Sequence, residues 1–212
     1  MTRAASRSRP TRIQREKTEA ILAAALDVFS THGFRGATLD QIAEVAGLSK
    51  PNLLYWFASK EEVHQALLRR LLDTWFESLA QIDPDGDPVR EIVAYVRRKV
   101  TMARNYPRES RLFAGEVLRG APSIAGVLTG EVRSLVDAKA DVIARWAAAG
   151  RIAPVDPYHL IFSIWAVTQH YSDFEAQVLA ILGPDGPDRF DAAADFLTDL
   201  YTRALTPNNP SV

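Results

Sequence analysis

The 212-residue chain contains no cysteine. That removes disulfides and thiolate metal sites together and makes the reducing cytoplasm the expected compartment. It has only four histidines, His32, His64, His159 and His170, and none stands in an H-x-x-x-H spacing. No P-loop, G-x-S-x-G or Gly-rich phosphate loop occurs. The acid-rich "DPDGDP" (83–88) lacks the ligand spacing and terminal glutamate of a calcium loop. No catalytic residue, metal site or cofactor is therefore expected, and the chain does not read as an enzyme. It also lacks any run of about 18 uninterrupted apolar residues, so no transmembrane helix and no membrane partner is expected. The basic start "MTRAASRSRPTR" has no apolar stretch behind it and does not read as a signal peptide. Strand-like alternation of useful length is missing, as are internal repeats.

What is present is an ordinary globular composition, 47% apolar and 24% charged, enough to bury a core. The net charge of −1 is uninformative, but its distribution is not. Residues 1–60 carry nine basic and five acidic residues, a net of +4; residues 61–212 carry sixteen and twenty-one, a net of −5. A polyanionic partner would meet the basic head.

Helical periodicity runs almost throughout. Ile21, Ala24, Ala25, Val28 and Phe29 share one face of a first helix that ends near Gly33 and Gly36. "TLDQIAEVAG" opens with Thr38 and Gln41 in capping-box spacing and places Ile42, Val45 and Ala46 on its apolar side. "SKPNLLYWF" is a third, very short helix. Ser59 and Glu62 begin a long fourth one with a second capping box. "DPDGDP" is the expected joint after it. The remainder gives further helices ended by Pro107, Gly120 and Gly150, with a break expected at Gly130. Asp156 and Pro157 start another helix at N-cap and N1. The expectation is an all-α fold of about nine or ten helices. Residues 1–10 read as a disordered basic arm, 11–58 as a three-helix module, 59–82 as a connecting helix, 83–206 as a helical body and 207–212 as a tail.

The chemistry-bearing stretch is "GLSKPNLLYWFASK" (47–60). Two short helices joined by "AGL" suggest a helix-turn-helix, whose second helix enters a major groove through its N-terminal residues. Ser49 as N-cap makes Pro51 the N2 residue, where a missing amide breaks no ladder bond. Leu53 and Phe57 should pack inward. Lys50 and Asn52 are suited to base edges and Tyr55 to a phosphate. Trp56 fits scaffold packing as well as DNA contact. Lys60, in the first turn of the fourth helix, is placed for a phosphate, or else is simply solvated.

"TLDQIAEVAGLSKPNLLYWFASKEEV" resembles the DNA-binding signature of tetracycline-repressor-type transcriptional regulators. The matching positions are Thr38, Ile42, Ala43, Ala46, Gly47, Ser49, Leu53, Tyr55, Phe57, Ser59, Lys60 and Glu61. Pro51, Leu54 and Trp56 depart from the family pattern at DNA-facing or flanking positions, which bears on the operator read and not on the fold. The expected DNA-facing set is Thr38, Ser49, Lys50, Pro51, Asn52, Tyr55, Trp56 and Lys60. The resemblance implies that 11–58 is the helix-turn-helix DNA-binding domain and 83–206 the ligand-binding and dimerisation domain, with a palindromic operator and a homodimer formed through the last two long helices. "SRLFAGEVLRGAP" and "IAPVDPYHLIFSIWAVTQHYSDFEAQV" further resemble the bacterial pyrimidine-utilisation repressors, which implies uracil or thymine as effector.

A flat, neutral pyrimidine needs an aromatic plate and a few polar groups. Trp165, Gln169 and Asp173, at i, i+4 and i+8, share one helix face. Gln169 can donate and accept together, and Asp173 can accept from a ring N–H. His170 lies on a neighbouring stripe with Phe162 and Phe174 that equally suits a dimer seam. Trp75, Arg111, Phe113 and Glu116 complete the candidate ligand set. The plainer readings are a core tryptophan with solvated neighbours, a regulator of another small molecule, and a sequence-blind nucleoid-type DNA protein.

Overall fold

The computed structural model describes residues 11–183 and 188–207. The arm at 1–10, the loop residues 184–187 and residues 208–212 of the tail lie outside the described residues. Every regular element among the described residues is helical, and none is a strand. The chain divides into two compact units, Met1–Leu67 and Leu68–Val212.

The first unit holds α1 (Arg12–Gly36), α2 (Leu39–Val45), α3 (Lys50–Trp56) and the opening turns of α4 (Lys60–Ala80). Thr11 and Gln14 close a capping box on α1. The apolar face expected from spacing is buried, with Ile21 and Ala25 fully inaccessible and Phe29 nearly so. Gly33, at φ 66°, kinks the end of α1, and the Ala37 amide returns to its carbonyl at 3.1 Å. Thr38 and Gln41 form the reciprocal capping box on α2. Ile42 and Ala43 are buried, but Val45, expected on the apolar side, is 54% exposed. Here α2 ends and the chain turns through Gly47 (φ 64°). At α4, Ser59 accepts from the Glu62 amide as expected, whereas the Glu62 carboxylate reaches the amide of Ala58 and not that of the cap residue itself.

The second unit contains the rest of α4, then α5 (Pro88–Asn105), α6 (Pro107–Leu118), α7 (Ala125–Val127), a π-helical turn (Leu128–Val132), α8 (Arg133–Ala148), α9 (Pro157–Asp173), α10 (Glu175–Leu182) and α11 (Arg189–Leu205). Gly130 lies inside the π-helical turn, so it loosens the helix without breaking it. One long helix expected after Pro157 is kinked at Phe174 (φ −109°, ψ 30°) into α9 and α10. α5 is the central element and packs against α9 and α11, while α6 and α8 pack against α9. Its buried stripe is Ile92, Tyr95, Val96, Lys99, Val100 and Ala103. Burying each large aliphatic of that stripe stabilises the fold by roughly 1.5–3 kcal/mol. Lys99 is the one charged member, 5% exposed.

"DPDGDP" is not a loose joint. Lys139 donates to the carbonyl of Ile82 at 2.7 Å, Trp146 to that of Pro84 at 3.1 Å and Arg151 to that of Gly86 at 2.7 Å. Asp87 then caps α5 through the Arg90 amide. The division between units falls inside α4 instead.

Candidate DNA-reading helix and ligand cavity

α3 is short because Ser49 starts it and Phe57, in extended backbone, stops it. The Ser49 hydroxyl accepts from the Asn52 amide at 3.4 Å, bridging over Pro51, which has no amide to offer. Leu53 is fully buried and Phe57 is 7% exposed, so these two anchor the helix. The opposite face presents Lys50, Pro51, Asn52, Leu54 and Tyr55, all exposed; Tyr55 is 82% accessible. Trp56 is half-buried and meets Tyr55 edge-on, with ring centroids 5.5 Å apart. Lys50 pairs with Asp40 of α2 at 2.8 Å, but both partners are solvated. Such a pair is worth about 0–1 kcal/mol and exchanges readily for a phosphate or base acceptor.

Two expected DNA contacts have other duties. The Thr38 hydroxyl is committed to the α2 capping box. The Lys60 ammonium donates to the carbonyls of Phe34 and Ala37, each at 2.8 Å, and lies 4.7 Å from the Phe34 ring centre. It ties the frayed end of α1 to the start of α4, where the Gly33 kink leaves carbonyls without helical partners. The lysine expected to meet a phosphate here clamps the end of α1 to the start of α4.

The second unit holds a partly open cavity of about 240 Å³. Its walls are pairs at i, i+4, one face from each of several helices. α5 supplies Tyr95 and Lys99, α9 supplies Trp165 and Gln169, and α6 supplies Phe113 and Val117. Leu128 and Val132 come from the π-helical turn, and Trp75 projects from α4 with Leu72 and Phe76 beside it. Sites for drug-sized ligands occupy roughly 300–1,000 Å³, so this one suits a small occupant. Trp75 and Phe113 meet edge to face at 4.8 Å. The Trp165 indole N–H donates to the Tyr95 hydroxyl at 2.6 Å, fixing the angle of both rings. Burial pushes the Tyr95 phenol well above its ordinary pKa. Burial also pushes Lys99 down to about 8, against a smaller upward pull from the Asp173 carboxylate. The Lys99 ammonium makes no hydrogen bond or ion pair among the described residues; it lies over the Trp75 ring, 5.6 Å from the centroid.

Of the eight expected ligand residues, Trp75, Phe113, Trp165 and Gln169 line this cavity and four do not. Asp173 lies eight residues beyond Trp165, about 12 Å along the helix. There its carboxylate accepts from the Ser110 and Ser172 hydroxyls at 2.5 and 3.3 Å, joining α6 to α9. Arg111 donates to the Ser172 carbonyl and the Glu175 carboxylate. Glu116 is 2% exposed and holds the turn after α6 by accepting from the Ser123 amide at 2.7 Å. His170 faces outward and stacks on Phe174 at 5.1 Å. Besides apolar wall residues, Tyr95 and Lys99 are the polar cavity residues that the sequence reading passed over. A lysine on the apolar stripe Ile92, Val96, Val100 was the available signal.

Among the described residues no group of three or more His, Cys, Asp or Glu could hold a metal ion, and no helix is long and apolar enough to cross a membrane.

Residues 21–67 match the family described as "Bacterial regulatory proteins, tetR family". Residues 68–208 match "YcdC-like protein, C-terminal region". The HTH-type transcriptional regulator RutR of Escherichia coli O157:H7 is 52% identical over 167 residues, 79% of each chain. RutR of Escherichia coli strain K12 matches with the same identity and coverage. Among solved structures, the putative transcriptional regulator SCO4942 from Streptomyces coelicolor superposes with a TM-score of 0.73 at 22% identity, covering 89% of this chain and 98% of that one. AibR in complex with isovaleryl coenzyme A and operator DNA gives 0.68 at 20% identity, covering 87% and 97%. Both likenesses are of fold.

Proposed function

The chain belongs to the tetR family of bacterial regulatory proteins, and from that premise we propose that its effector is uracil or thymine, bound in the 240 Å³ cavity of the second unit. The protein is a ligand-responsive transcriptional regulator, a DNA-binding protein and not an enzyme. The pyrimidine reading rests foremost on one observation. Trp75 and Trp165 from two helices, with Gln169 one turn beyond Trp165, stand on a cavity too small for a bulky ligand. The indoles offer stacking faces, and the Gln169 amide can donate and accept along one ring edge. A mismatched edge leaves a buried polar group unpaired at about 1–3 kcal/mol, which discriminates among planar rings.

The regulator acts as a repressor in the cytoplasm, with α3 reading the major groove through Lys50, Asn52 and Tyr55. Trp75 stands on the same helix whose first turn follows the recognition helix. Effector binding there favours the DNA-incompetent state, and the free energy of that preference is the whole of the regulatory effect. A homodimer supplies the two half-sites of a palindrome. Its seam is formed by α9, α10 and α11, which expose Phe162, Phe174, Ile181, Phe196 and Leu200.

A thermal-shift screen of nucleobases tests the effector. Uracil or thymine should raise the melting temperature, and Trp165→Ala or Gln169→Ala should each diminish the rise. No shift with any pyrimidine at saturating concentration would remove the pyrimidine and leave the regulator.

A further inference from the structure

The cavity contains one feature that stacking and an amide do not explain. Lys99 is an ammonium on an apolar wall, 5% exposed and without an acceptor among the described residues. α4, α6 and the π-helical turn present only Leu, Val, Phe and Trp side chains to the cavity. No carboxylate lines it. Asp173 is the acid that acts on Lys99; it does not line the cavity, and its Oδ1 accepts from Ser110 and Ser172. Tyr95, the other titratable group of the wall, is held by Trp165 and keeps its proton at neutral pH. A buried charge without a partner is strongly disfavoured, and a ligand that brings the opposite charge relieves that cost.

We propose that Lys99 is the specificity-determining residue of the cavity and that it takes a planar cyclic imide as its ring-nitrogen monoanion. The inference rests on the pyrimidine reading and deepens it. The ring N–H bond breaks heterolytically, its electron pair stays on the ring and spreads onto the flanking carbonyl oxygens, and the proton leaves to solvent. Lys99 keeps its three protons and donates to the ring anion, while the aromatic plates hold the ring flat. A neutral ring accepting from Lys99 through a carbonyl would bind without releasing a proton. Selection by Lys99 therefore follows ring acidity as well as shape. Each pK unit by which a ring N–H is more acidic strengthens binding about tenfold, until the free ligand is itself ionised.

Isothermal titration calorimetry of the intact protein at pH 7 tests this, in phosphate and Tris buffers, with uracil and its more acidic isostere 6-azauracil. The expected results are release of about one proton per uracil bound and tighter binding of 6-azauracil. Lys99→Met should abolish both the proton release and the preference, whereas Lys99→Arg, which keeps the charge, should retain the release. Uracil binding with no proton release, or equal affinity for the two rings, overturns the anion proposal and leaves the pyrimidine reading standing. Absence of binding by either ring overturns both.

Discussion

Replacing Lys99 by methionine should stabilise the protein while damaging its response. The ammonium is held at about 8 in the fold against 10.5 in the free side chain, because burial disfavours its charged form. Below pH 8 both folded and unfolded chains carry the charge, and the fold bears the full penalty of about 3 kcal/mol. Between pH 8 and 10.5 the folded chain loses the proton that the unfolded chain still holds, so stability rises with pH across that window. Above it the penalty is gone. Methionine keeps a similar length without the charge, so Lys99→Met should be more stable than the parent at pH 7 by up to about 3 kcal/mol. Urea denaturation of both proteins at several pH values measures the difference. The gap should be widest at or below pH 7 and close towards pH 10.5. A variant less stable than the parent at pH 7, or a gap that does not change with pH, would contradict a buried, unpartnered ammonium at this position. The first result would mean that Lys99 has a stabilising partner, and the second that it titrates normally.

Three further perturbations separate structural from functional roles. Lys60→Met removes two charge-assisted hydrogen bonds to carbonyls, so stability should fall by about 1.5–3 kcal/mol. The salt slope of operator binding should hardly change; a slope reduced by about one would mark Lys60 as a phosphate contact after all. Trp165→Phe leaves the buried Tyr95 hydroxyl without its donor and should cost about 1–3 kcal/mol in chemical denaturation, with part of the loss recovered when Tyr95→Phe is added. Phe196→Glu places a charge on a side chain 62% exposed in the single chain. It should leave the fold intact and shift the protein to a monomer by light scattering, and an unchanged mass would move the dimer seam elsewhere.

Local chemistry was legible in the sequence, and long-range chemistry was legible only in outline. Ser49 with Asn52, Thr38 with Gln41 and Asp156 with Pro157 needed nothing beyond neighbouring residues, and each forms the expected cap. Trp165 and Gln169 share a face because they are one helical turn apart. Lys60 shows where such reasoning stops. Its position at a helix start suggested a phosphate, but its carbonyl partners lie 26 and 23 residues away and follow from the Gly33 kink. Asp173 fits the same face as Trp165 by periodicity and still misses the cavity, because a cavity is shorter than a helix. The acid-rich turn at 83–88 read as a joint from composition, whereas its anchors, Lys139, Trp146 and Arg151, come from α8 and the turn after it. Lys99 was visible as a charge interrupting an apolar stripe, but its meaning required the cavity.

In the proposed function, a pyrimidine in the Trp75–Trp165–Gln169 cavity controls operator binding. Fluorescence anisotropy of a labelled palindromic operator, titrated with protein at fixed salt with and without saturating uracil, tests it most directly. Binding should be sequence-specific, and uracil should weaken it in the parent while leaving it nearly unchanged in Gln169→Ala. Operator binding indifferent to uracil and thymine, or binding that is salt-sensitive and blind to sequence, would contradict it.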